Sequence, residues 1–78
     1  MQVLTGSSTR TIHGVRQTEW LVMVPGVFLT EHRDQLHTAF EAVGGKVRSI
    51  FCEKMFVDTP PDIPNEVIKR VTLEAMQP

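Results

Sequence analysis

The residue types able to move protons or hold metals are concentrated in one stretch, FLTEHRDQLHTAFEAVGG, residues 28–45. Glu31, His32, Asp34, His37 and Glu41 all fall within it. A histidine beside a carboxylate can shuttle a proton or supply half of a metal site. Two histidines that share a metal on one helix need a spacing of three or four residues. His32 and His37 are five apart, which places them roughly 140° apart around a helix axis. The stretch therefore reads as an amphipathic helix with a solvated acidic back. Leu36, Ala39, Phe40 and Val43 form the apolar stripe at i, i+3, i+4, i+7. Thr30 is the expected N-cap, Glu31 the first-turn anion that the macrodipole favours, and Gly44-Gly45 the left-handed stop. Catalysis, metal and cofactor are all assigned as none.

Cys52 is the only cysteine. A disulfide within the chain and a multi-thiolate zinc site are thereby excluded. Its apolar setting, SIFCEKMF, predicts a buried thiol acting as a small hydrophobe. VGGK at 43–46 carries glycines and a lysine, but a phosphate loop runs strand, loop, helix, whereas here the glycines end a helix. The remaining candidates are charges. Arg10, His13 and Arg16 precede the first acid, Glu19, and could form a phosphate-contacting arm, aided by Lys46 and Arg48.

The elements that must position these residues follow from pattern. RTIHGVRQTEWLVMV reads as a hairpin around His13-Gly14, with a frayed tail over residues 1–10 as the competing reading. EWLVMV, residues 19–24, is apolar on both parities and so belongs inside a sheet. KVRSIFCEKMFVD, residues 46–58, reads as one long strand with room for a bulge. Pro60, Pro61 and Pro64 then break the chain. The last segment, near 65–76, fits a helix with Asp62 as cap, though its odd positions also fit a strand. The expected fold is a single small α+β (α/β) domain, a two-layer sandwich of order ββαβα with two helices covering the sheet. Strand, helix and strand at its centre would form a parallel crossover. Leu36, Phe40 and Val43 are expected to pack on Trp20, Val22 and Phe51.

Composition narrows the function. A chain of 78 residues with 41% hydrophobic and 22% charged residues is ordinary for one folded domain. Its net charge of −1 lacks the excess of basic residues usual in a dedicated nucleic-acid binder. MQVLTGSSTR has no apolar core of a signal peptide, and apolar runs reach only about five residues against the roughly 20 of a membrane span. These features point to a cytoplasmic, non-enzymatic protein-binding module that regulates or inhibits a partner complex; phage- or plasmid-type accessory proteins are the class of small chain expected to act so, as a general prior and not from these residues. The partner is a protein, a second copy of the chain as a homodimer, or both. Glu31, Asp34, Glu41, Arg10 and Arg16 are the expected partner-binding residues. The alternative is nucleic-acid binding through the Arg10–Arg16 segment.

Overall fold

The computed structural model describes residues 1–77. Two nine-residue strands, β1 (Leu4–Ile12) and β2 (Val15–Met23), open the chain. A 3₁₀ turn (Leu29–His32) leads into α1 (Arg33–Glu41). Strands β3 (Lys46–Phe51) and β4 (Lys54–Thr59) follow, and α2 (Asn65–Ala75) closes the chain. The sheet order is β1-β2-β4-β3, with every neighbouring pair antiparallel. This is a small α+β sandwich, but the order is ββαββα rather than the expected ββαβα. The segment near 65–76 is helix.

The first hairpin closes where its residues predict. His13 and Gly14 take φ of 52° and 79°, the pair of positive values that a type I′ turn requires. The nine residues of β1 pair in register with the nine of β2, so residues 4–10 are strand, not a frayed tail. β2 lies between β1 and β4, as its two-faced apolarity predicts. Trp20, Val22 and Val24 are buried on one side, and Leu21 and Met23 are half-buried on the other.

Residues 46–58 depart from expectation twice. They form two strands joined at Cys52-Glu53, with Cys52 at φ 53°. They also carry a bulge between Val47 and Ser49. An inserted residue flips the parity of everything beyond it on that strand. Val47 is therefore buried, Ile50 is the next inward residue, and Phe51 turns outward at 72% exposure. Phe51 is not in the core. Cys52 is exposed at the turn, not buried. The crossover also changes. β2 and β3 run in the same direction, but β4 sits between them, giving a split β-α-β arrangement.

The core joins one sheet face to both helices. Trp20, Val22, Val47, Met55 and Val57 meet Leu29, Leu36, Phe40, Ile68 and Val71 there; Val43 is only half-buried. The indole Nε1 of Trp20 donates to Thr59 Oγ1 at 2.9 Å, and that hydroxyl donates to the Pro60 carbonyl at 2.9 Å. Among the described residues no buried side-chain polar atom lacks a partner. Among the described residues no helix is long and apolar enough to cross a membrane.

Both expected helix caps are displaced. Thr30 lies within the 3₁₀ turn, and His32 occupies the N-cap of α1 with no side-chain cap bond. Leu29 is fully buried and its N–H donates to the Cys52 carbonyl at 2.7 Å. The chain is thus pinned before Thr30 and tightens into a 3₁₀ turn first. Asp62 does not cap α2; Pro64 does, through its carbonyl alone. The glycine stop holds. Gly44 has φ 81°, its N–H donates to Glu41, and the Gly45 N–H donates to Phe40 at 2.8 Å, which is the Schellman pattern. A Cβ on Gly45 would lie 3.3 Å from the Asp58 and Phe40 carbonyls, so glycine here lets α1 and β4 approach without displacing either backbone by a few tenths of an ångström.

Candidate binding surface

Glu31, Asp34 and Glu41 are exposed on the helical layer, while His32 of the 3₁₀ turn and His37 of α1 are half-buried. None of the three carboxylates is ion-paired among the described residues. No three metal-ligating side chains cluster there either. Residues 28–45 thus carry exposed carboxylates on the 3₁₀ turn and on α1, over buried Leu29, Leu36 and Phe40.

Arg10 and Arg16 are separated by the pleat. In the hairpin register Arg10 stands opposite Gln17, and Arg16 opposite Thr11. Alternation then sends Arg10 to the open face of the sheet and Arg16 to the helix side. They do not form one arm. Arg16 lies on the wall of a cleft of about 500 Å³ shared with Lys46, Asp58, Pro60 and Pro61. β2 is unpaired on this side over residues 15–17, because β4 ends at Thr59 and prolines follow. The five expected partner-binding residues therefore occupy three separate places.

The open face of the sheet is a further candidate surface. Helices cover only the other face. Leu4 and Ile12 from β1, Val15, Leu21 and Met23 from β2, Phe56 from β4 and Phe51 from β3 all point to the open side by register. Leu4, Ile12, Val15 and Phe51 are each more than 40% exposed. An uncovered apolar face of this kind commonly marks an interaction site. Its two-faced strand EWLVMV was the legible signal. Phe51 and Lys54 were not legible there, because the bulge and the Cys52-Glu53 turn set their direction.

The charges on this face are organised around Glu19. Its carboxylate accepts from Arg48 and from Arg10, the latter at 2.5 Å. The Arg48 guanidinium, then the neighbouring Arg10, hold the Glu19 carboxyl below its usual value of 4.5. Arg48 also lies 4.0 Å from Asp58 and stacks 5.7 Å from the centre of the Phe56 ring. Arg48 is the bulge residue, so the bulge delivers its side chain to the open face. Lys46 and Lys54 are exposed at the margin.

Charge is segregated between the layers. The strands carry Arg10, Arg16, Lys46, Arg48 and Lys54 against Glu19 and Asp58, a net +3. The helical elements carry Arg33, Lys69 and Arg70 against Glu31, Asp34, Glu41, Glu66 and Glu74, a net −2, and the connecting turns add Glu53 and Asp62. The surface is thus an apolar sheet face with a basic rim, on a molecule whose helical back is acidic. Comparison with family models, with curated proteins and with solved structures finds no match for this chain.

Proposed function

We propose that the chain is a non-enzymatic protein-binding module of the cytoplasm, which docks the open face of its sheet on a partner protein and so regulates or inhibits the partner's complex. One observation carries this reading: a four-stranded sheet covered on a single side, whose other side exposes Leu4, Val15 and Phe51 beside half-buried Leu21, Met23 and Phe56. The partner chemistry that fits is an apolar patch with acidic margins, complementary to Lys46, Lys54, Arg48 and Arg10. Aliphatic side chains dominate the face, and Glu19 and Asp58 sit among its cations. Both features suit a protein surface better than a phosphate backbone. The single cysteine, which leaves no disulfide within the chain, suits a reducing compartment.

The test is a pull-down from the native host with partner identification by mass spectrometry, repeated with Phe51→Ser and with Lys54→Glu. Both variants should fold, and both should lose the partner. If they keep it while reversal of Glu31, Asp34 and Glu41 to Lys abolishes it, docking belongs to the helical layer and the sheet-face reading fails.

A second reading rests on Phe51 and Phe56. Exposed Phe51 and half-buried Phe56, on adjacent antiparallel strands and flanked by Lys54 and Arg48, would form a stacking platform for unpaired bases. Nucleic-acid binding would then use this platform rather than the Arg10–Arg16 segment, whose two arginines face opposite sides. Affinity for a single-stranded oligonucleotide that falls steeply with salt would favour it; salt-independent or undetectable binding would remove it.

A further inference from the structure

We propose that a second copy of this chain pairs with the free edge of β1 about a two-fold axis through Ser8, joining two four-stranded sheets into one of eight strands. This site is the edge of the sheet, distinct from the face assigned to a partner protein.

β1 is a long edge left unguarded. It runs nine residues, LTGSSTRTI, without proline, lysine or a bulge. Natural sheets usually blunt such an edge with one of these devices. The opposite edge, β3, is blunted: it is six residues long, carries Lys46 and holds the bulge at Arg48. The single charge on β1, Arg10, is already turned onto Glu19.

The register follows from hydrogen-bond parity. The type I′ turn makes Ile12 and Val15 a bonded pair, so the even residues of β1 direct their backbone groups to β2. The far side of β2 agrees: Val24, an even residue, donates to the Glu53 carbonyl at 2.9 Å in continuation of the β4 pairing. The backbone groups of Thr5, Ser7, Thr9 and Thr11 therefore point outward from β1. A two-fold axis at Ser8 pairs Thr5 with Thr11 and Ser7 with Thr9 of the second copy, and satisfies the N–H and C=O of all four. No other centre within the strand pairs all four outward residues.

Side chains suit the same register. Leu4 and Ile12, 42% and 41% exposed, stand opposite each other and extend the apolar face across the seam. Arg10 stands opposite Gly6, so no like charges meet. Hydroxyl-bearing residues meet on the helix side, a favourable cross-strand combination. This symmetric, self-complementary fit is the reason to assign the edge to a second copy rather than to an unrelated strand.

Ser8 meets its own symmetry mate as a non-hydrogen-bonded pair, with Cα atoms about 4.5 Å apart, within the range a disulfide spans. The test is Ser8→Cys in a Cys52→Ser background under mild oxidation. The expected result is a disulfide-linked dimer that keeps the native circular dichroism, with wild-type protein showing twice the 8.8 kDa chain mass by light scattering at ~100 µM. Ser7→Cys and Gly6→Cys should cross-link at least about tenfold more slowly. Ser7→Pro removes an outward N–H without touching the β1–β2 bonds, and should weaken association by about tenfold or more in folded protein. Monomeric wild-type protein overturns the proposal. So does a Ser8→Cys cross-link no faster than at Ser7 or Gly6, which would signal another register or random collision. Should Ser7→Pro not fold, Ser8→Lys decides: opposed like charges should split the dimer, and an unchanged mass overturns the pairing.

Discussion

The bulge at Arg48 makes a sharp prediction about two phenylalanines. Simple alternation from Val47 through Ser49 places Phe51 in the core beside Phe40. The structure leaves Phe40 fully buried and Phe51 72% exposed. A fully buried phenylalanine hides about 150–250 Å², worth about 4–6 kcal/mol at roughly 25 cal/mol per Å². Phe40→Ala should therefore cost about 3–5 kcal/mol once the retained methyl and partial collapse are counted. A 78-residue domain has only about 4–12 kcal/mol in total at typical values per residue, so this variant should be near the edge of folding. Phe51 hides little more than a quarter of its surface, about 40–70 Å², and Phe51→Ala should cost at most about 1–2 kcal/mol. Urea titration followed by circular dichroism, with the slope compared between variants, separates these values cleanly. If Phe51→Ala shifts the midpoint as far as Phe40→Ala does, the bulge is absent and the open face is misassigned.

Three further perturbations test the frame around that surface. Thr59→Val leaves the buried Trp20 indole N–H without its acceptor and should cost about 1–3 kcal/mol in the same urea assay; a neutral result would refute the buried bond. Cys52→Gly relieves a non-glycine residue at φ 53°, where the left-handed region costs roughly 1–2 kcal/mol. A rise of the melting temperature is expected, and a fall would contradict the turn geometry. Glu19 is held below its ordinary 4.5 by Arg48 and Arg10. A depressed acid contributes stability that is present above its unfolded value and lost as pH falls through the folded one. Melting temperature measured downward from neutral pH should thus fall less in Glu19→Gln than in wild-type protein below pH 4.5, and parallel curves would dismiss the pair as a source of stability.

Much of the molecule is written in local pattern, and some of it is not. The α1 stripe of Leu36 and Phe40, the Gly44 stop and the His13-Gly14 turn depend on neighbours within a few residues, so sequence spacing carries them. The two-faced apolarity of EWLVMV likewise required an interior strand and hinted at an apolar surface beyond the helices. Three features needed the folded sheet. Cys52-Glu53 has no turn-forming residue, and only the pairing of β3 with β4 forces the chain back there. The bulge exists because Arg48 is squeezed out of that pairing, and it alone decides that Ile50 points in and Phe51 out. Thr30 lost its cap because a bond from Leu29 to the distant Cys52 carbonyl tightened the chain ahead of it. The union of Arg10 with Arg48 on one carboxylate, and the parting of Arg10 from Arg16, came only from strand register. A periodic sequence states which faces exist; long-range pairing decides which residues share one.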